Sequence, residues 1–227
     1  MADKKNQNDN LNVEGALNES EAFIIKHKNV ILGTIVGVLI IITGFLLYNK
    51  EYIKPREHKA QIAIFKGQEY FEQNAYQQAI NGDSIGYIGF LKIADKFSGT
   101  KTANLANAYA GICYAKLGNY KEAVDYLNKF NGNDKMATPA IIGAVGNCYA
   151  ELGNLDKASS QLLKAAEKAD NSTLSPIFLM QAGEILVKQG KYDDAVKAYT
   201  QIKDKYAQSY QATSVDKYIE QANLLKK

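Results

Sequence analysis

Catalytic signatures are missing from this chain. It holds no HExxH pair, GxSxG elbow, Walker loop or calcium-binding loop, the short motifs whose residue types and spacing carry hydrolytic, phosphoryl-transfer or metal chemistry. Histidine is scarce, with two in the whole sequence. His27 precedes a long apolar run and His58 follows it, so the pair cannot share a metal or a proton relay across a membrane. Cys113 and Cys148 do not form a CxxC motif and report little about redox compartment. A net charge of +3 is too mild to point to nucleic acid. Ser98-Gly99-Thr100-Lys101 has the look of a phosphate loop, but Ala94 stands where the glycine five residues earlier would be required. The expectation is therefore a protein that is not an enzyme, with no catalytic, cofactor-binding or metal-binding residues, no cofactor and no small-molecule substrate.

What the chain does have is a repeated frame. Gly111 is followed at +3 by Tyr114, at +7 by Gly118, at +9 by Tyr120 and at +12 by Ala123. Gly146, Tyr149, Gly153, Leu155 and Ala158 fit the same frame, as do Gly183, Leu186, Gly190, Tyr192 and Ala195. A degenerate copy lies upstream at Gly67, Tyr70, Asn74, Tyr76 and Ala79. The zero-position glycines of the last three copies stand 35 and 37 residues apart, the tetratricopeptide (TPR) period with small insertions. The frame implies two antiparallel helices per unit. A small residue at zero and another at +12 let them approach, and the +7 residue ends the first helix in a left-handed conformation. Such hairpins bury their apolar faces only by stacking. Hairpins are expected at about 102–130, 138–169 and 174–206, with Pro139 and Pro176 each opening a first helix. In the degenerate copy, Asn81-Gly82-Asp83-Ser84 reads as a turn and Gly86 to Phe97 as a displaced second helix. Gln211 to Leu225 reads as an amphipathic capping helix. Cys113 and Cys148 occupy equivalent repeat positions and are expected to be core thiols.

Val30 to Tyr48 is uncharged and apolar. As a helix it spans about 28 Å, enough for a hydrocarbon core. No small-x-small cleavage site follows Leu47, which favours an uncleaved anchor over a signal peptide. The expected organisation is a disordered tail over 1–20, the anchor with its flanks over 21–54, and a TPR solenoid over 55–227: an all-α protein with a single transmembrane helix, about four helical hairpins and a C-terminal cap. Gly33, Gly37 and Gly44 fall on one face of the span, a small-residue stripe suited to close packing of another transmembrane helix. Lys50, Lys54, Arg56 and Lys59 crowd the flank after the span, against Lys26 and Lys28 before it. That distribution favours a cytoplasmic domain by flank charge, although long domains translocate largely regardless of charge.

The remaining candidate surface is the groove lined by the first helices. TPR geometry turns positions −6, −3, +1, +4 and +5 inward. The expected protein-binding residues are Leu105, Ala108, Ile112 and Lys116 in one copy, Asn147 and Glu151 in the next, and Ile177, Met180, Glu184 and Val187 in the last. Their mixture of apolar and oppositely charged groups suits a helix or an extended segment of a protein partner. Packing between repeats is an equally good account of the apolar members.

The short tail, the single span and the TPR array that follows it directly resemble the membrane-anchored TPR proteins of the YfgM type, ancillary subunits of the SecYEG translocon, in the version found in Bacteroidetes. The resemblance runs from about Glu21 to Gln221. It rests also on Asn81-Gly82-Asp83, Gly89-Phe90-Leu91, Gly99-Thr100-Lys101, the Gly111-Ile-Cys-Tyr114 hairpin, Tyr126-Leu127-x-x-Phe130 and Asp216-Lys217-Tyr218-Ile219. It implies an inner-membrane protein with its N-terminus in the cytoplasm and its TPR domain in the periplasm. The implied partners are the Sec translocon, a PpiD-like membrane-anchored chaperone and unfolded envelope proteins emerging from translocation. A TPR scaffold for another envelope machine, serving outer-membrane assembly, secretion or cell division, is the alternative.

Overall fold

The computed structural model describes the backbone from Val13 to Lys226 and side chains from Phe23 onward. Every regular element among these residues is helical. The chain separates into two compact units, Met1–Lys54 and Pro55–Lys227.

The first unit contains α1 (Val13–Tyr48) followed by a π-helical turn, Asn49–Ile53. Residues 1–12 of the expected tail lie outside the described residues. From Val13 the chain is already helical, so helix begins earlier than the expected end of the tail at residue 20. The physical reason lies in Glu14, Ala16, Leu17, Glu19, Glu21 and Ala22, good helix formers without a proline among them that extend the helix backwards from the apolar run. Among the described residues, one helix is long and apolar enough to cross a membrane. Its large side chains, among them Ile35, Leu39, Ile41 and Phe45, stand exposed. Tyr48 and Tyr52 stack at its end with ring centroids 5.2 Å apart.

In the second unit, α2 (Lys54–Glu72) and the short α3 (Tyr76–Asn81) form the degenerate first copy, and α4 (Gly89–Lys96) is its displaced companion. Three regular hairpins follow: α5 (Lys101–Lys116) with α6 (Tyr120–Leu127), α7 (Ala137–Glu151) with α8 (Leu155–Ala169), and α9 (Ser175–Lys188) with α10 (Tyr192–Lys205). A 3₁₀ turn at Gln211–Thr213 leads into the capping helix α11 (Val215–Leu225). At the four hairpin turns Asn74, Gly118, Gly153 and Gly190 all take positive φ, between 58° and 79°. This is the left-handed stop that the +7 position requires.

The zero glycine meets something more specific than a neighbouring backbone. A Cβ on Gly111 would lie 2.6 Å from Leu127 Cγ, one on Gly146 2.9 Å from Leu162 Cγ, and one on Gly183 2.3 Å from the ring of Tyr199. Each glycine thus clears space for the side chain at +16 on its own second helix, and the +12 alanines Ala123, Ala158 and Ala195 are fully buried beside it. In the first copy α3 is too short to reach that position. The space at Gly67 is filled instead by Tyr87 and by Phe90 of α4.

The segment between α3 and α4 is held by Asp83. Its carboxylate accepts from the Tyr70 hydroxyl (2.7 Å) and from the backbone N–H groups of Ile85 and Tyr87 (both 2.9 Å). These bonds hold its carboxyl below the usual range, and the same contact raises the Tyr70 phenol. Gly82 has φ 95°, and a Cβ there would sit 2.3 Å from the Tyr87 carbonyl oxygen.

The core follows the array. Ile64, Ile80, Phe90 and Ile93 fill the N-terminal end. Val124, Leu127, Val145 and Cys148 fill the middle, and Leu162, Leu179, Tyr199, Ile202 and Val215 the C-terminal end. Lys203 pairs with Asp216 (2.7 Å) and Tyr218 packs on Tyr199 at 5.6 Å, so α11 closes the last hairpin.

Candidate functional site

The groove positions lie on α5, α7 and α9, and the structure sorts them into three groups. Lys116, Asn147, Glu151 and Glu184 are exposed, and Leu105 remains 39% exposed. Ile112, Ile177, Met180 and Val187 are half-buried. Of these, Ile112 rests on the middle cluster, and Met180 and Val187 on the C-terminal one. Ala108 is buried and presents no surface to a partner. Repeat packing has claimed it, as it has Gly143 on α7, where a Cβ would strike the Phe178 ring of α9 at 2.3 Å. The accessible lining is therefore a charged rim of both signs over a half-buried apolar floor.

At its C-terminal end the groove deepens into a pocket of about 230 Å³, lined by Glu184, Val187, Lys188, Tyr199, Tyr218 and Gln221. Tyr218 and Gln221 belong to α11, so the capping helix also forms one wall of this pocket. Its pattern of Val215, Tyr218, Ile219 and Leu224 shows an apolar face, but which first helix that face would border depends on how the chain turns after Tyr206. Burial, with Glu184 nearby, raises the Tyr199 phenol well above its ordinary value.

A larger and shallower hollow of about 570 Å³ lies at the turn edge between the last two hairpins. Asp156 bridges it, accepting from Gln189 Nε2 (2.8 Å) and Lys191 Nζ (2.6 Å). These contacts lower its carboxyl and tie the two turns together.

The residues weighed for other chemistry serve the fold. Cys113 and Cys148 are free and buried; burial pushes the Cys113 thiol up to about 12, and it also raises Cys148. Among the described residues, no three His, Cys, Asp or Glu side chains are grouped as a metal site. The start of α5, at Ser98-Gly99-Thr100-Lys101, is already occupied by a carboxylate of the protein itself. Glu57 accepts there from the backbone N–H groups of Lys101 (2.6 Å) and Thr102 (3.1 Å). Arg56, next to it, donates to the carbonyl oxygens of Lys96 (2.9 Å) and Ser98 (3.4 Å). In the apolar helix, a Cβ on Gly33, Gly37 or Gly44 would meet nothing within 4 Å.

Stacked helical hairpins with left-handed turn residues, a +16 side chain seated on each zero glycine and a groove along the first helices define a TPR solenoid, a class of fold that typically serves as a non-enzymatic scaffold for protein–protein interaction. The profile of the tetratricopeptide repeat-like domain family matches residues 21–214, and the chain belongs to that family. No curated protein matches the chain.

Proposed function

We propose that this is a membrane-anchored TPR interaction protein, an accessory subunit of the Sec translocon that docks partners or chaperones and helps receive translocated envelope proteins. The observation that carries the reading is the order of parts: a helix long and apolar enough to cross a membrane, then a TPR array whose groove keeps charged residues of both signs exposed over an apolar floor. Resemblance to the YfgM type supplies the translocon and a PpiD-like membrane-anchored chaperone as partners. It also supplies the topology, with residues 21–54 anchoring the chain in the inner membrane, the N-terminus in the cytoplasm and residues 55–227 in the periplasm. In this reading the chain touches its partners twice. The groove residues from Leu105 to Val187 receive a protein segment, and the face of Gly33, Gly37 and Gly44 takes a neighbouring transmembrane helix, where shape matching replaces lipid contacts.

Crosslinking in native membranes followed by purification of the full chain tests the assignment. Translocon subunits and a membrane-anchored chaperone are the expected captures; recovery of an outer-membrane assembly, secretion or division machine in their place refutes it. Protease added to spheroplasts tests the topology: it should digest the TPR domain, and a domain protected until the membrane is broken overturns the periplasmic placement.

A further inference from the structure

The first helix of the array exposes a face that the later first helices bury or half-bury against the preceding unit. Relative to the zero glycine, positions −5 and −2 point back toward the preceding unit. Phe178, at −5, fills the notch at Gly143; Ala106 at −5 is fully buried. Tyr109, at −2, stacks on Phe90 with ring centroids 5.1 Å apart. The equivalent residues of α2 are Ile62 and Phe65, and they are 66% and 63% exposed. Ile85, from the segment held by Asp83, is 84% exposed and lines with Ile62 a cleft of about 470 Å³. The C-terminal end of the solenoid is closed by α11. At the N-terminal end nothing among the described residues covers this apolar face, although terminal repeats ordinarily require a polar outer face.

Two further positions indicate what covers it. At −8 the later repeats carry Ala103, Thr138 and Ser175, and at −1 Ala110, Val145 and Ala182, all buried. α2 has Lys59 and Lys66 there, both exposed, Lys66 in contact with Glu69 (2.6 Å). Lys96 lines the same cleft. Another hairpin stacked on this end would have to take two ammonium groups out of water where the repeat design places small residues, a costly desolvation. Apolar side chains framed by lysines are instead the pattern of a surface lying at a lipid interface, with rings and aliphatic groups at the acyl boundary and ammonium groups among anionic headgroups. Such a surface lies within reach, because the chain from Tyr48 to Ile62 covers no more than about 50 Å even when fully extended.

We propose that the Ile62, Phe65 and Ile85 face is a bilayer-docking surface, and that anionic lipid is the cap on the open end of the solenoid. The proposal rests on the membrane-anchored reading above. The test is the full chain reconstituted in vesicles of phosphatidylethanolamine and phosphatidylglycerol, with a fluorophore at Ile85→Cys or, as control, at Tyr210→Cys, a residue 85% exposed near the far end. The native cysteines are buried and stay unlabelled under native conditions. Nitroxide lipids should quench the label at 85 several-fold more strongly than the label at 210. The Ile62→Ser, Phe65→Ser double variant, which replaces only exposed side chains, should lose the excess quenching, and phosphatidylcholine vesicles should weaken it. Equal quenching at the two sites in a chain that resists carbonate extraction overturns the docking surface while leaving the anchor standing. A chain that carbonate extracts defeats the anchored reading and the proposal with it. A label at 85 hidden from aqueous quencher but not quenched by lipid shows a protein cover and also overturns the proposal. That cover is a second copy if dilution into excess lipid exposes the label again.

Discussion

Glu57 and Thr102, which belong to different helices, are joined twice: Glu57 Oε1 accepts from the Thr102 backbone N–H at 3.1 Å and also from the Thr102 hydroxyl. With the bond from the Lys101 N–H, one carboxylate from the start of α2 satisfies the otherwise unpaired donors at the start of α5 and places negative charge at the positive end of its dipole. Thr100 supplies the local cap, accepting from Ala103 N at 3.0 Å. Glu57 therefore acts as a second cap, delivered through the tertiary fold.

Glu57→Ala should destabilise the TPR domain by about 1–2 kcal/mol, the range for lost helix caps. Glu57→Gln should cost less, since it retains an acceptor and loses the charge. Denaturant unfolding of the full chain in detergent, followed by circular dichroism, measures both. An Ala variant as stable as the parent would mean that water replaces the carboxylate without cost.

Substitution of the zero glycine tests the hairpin register. Gly111→Leu drives a side chain into Leu127 and its backbone, and Gly183→Ala already brings a Cβ to 2.3 Å from the Tyr199 ring. Overpacking of this kind costs about 1–3 kcal/mol, and Gly111→Leu should fall at or above the upper end. Ala123→Leu, at a fully buried +12 position, should behave alike. Gly33→Leu, where a Cβ meets nothing, should leave the unfolding of the TPR domain unchanged. Equal unfolding midpoints for Gly111→Leu and the parent would contradict the placement of Leu127.

An acid limb of stability should come from Asp134. Its carboxylate accepts from the Thr138 hydroxyl (2.8 Å) and from the backbone N–H groups of Met136 (2.8 Å) and Ala137 (2.6 Å) at the start of α7. These bonds, the Thr138 hydroxyl first among them, hold its carboxyl down to about 2. The folded value lies below the ordinary value of 3.8. The stabilisation is therefore fully present above about pH 4 and is lost as pH falls toward about 2. Asp134→Asn should lower stability at neutral pH and flatten the pH dependence in that window. A variant whose stability falls as steeply with acid as the parent's would assign the limb to other carboxylates.

Partner capture should separate the two proposed contacts. Leu105→Glu together with Glu184→Lys alters exposed groove positions and should weaken capture through the soluble domain while leaving membrane insertion intact. Gly33→Leu with Gly37→Leu fills the open face of the span, raises its hydrophobicity and should reduce capture through the membrane. Co-purification from mild detergent, after insertion is verified, measures each; unchanged yields for the span variant would leave the groove as the sole docking surface. Ile112 is a poorer probe than its sequence position suggests, because it packs on the middle core cluster and a charge there would unfold the site it was meant to test.

The hairpins were legible because their signals are local. A left-handed turn residue, a small residue seven positions before it and an alanine five after it act within one pair of helices, so Gly111, Gly118 and Ala123 announce the unit whatever surrounds them. The buried cysteines and the helix-opening prolines follow from the same register. The apolar helix was legible for a similar reason, since length and hydropathy need no neighbours to be read.

The groove was legible only in outline. Repeat geometry placed Leu105, Glu151 and Glu184 at the surface, but Ala108 fell to packing between repeats, and Tyr218 and Gln221 entered the pocket from a helix whose docking site lies beyond the reach of any periodic pattern. Gly67 carried the zero-position signal, yet its partner came from α4, because the insertion left α3 too short to supply a +16 residue. Ile62 occupies the same register position as Phe178 and meets the opposite environment, exposed where its counterpart is buried, since a residue's place in a repeat does not say whether another repeat precedes it. The sequence by itself determined the repeating unit, its turns and the apolar span, through chemistry that acts over one or two helices. Tertiary structure alone decided which side chains fill the space at Gly67, which carboxylate caps α5 and which end of the array stays open, because each depends on surfaces brought together from outside a single hairpin.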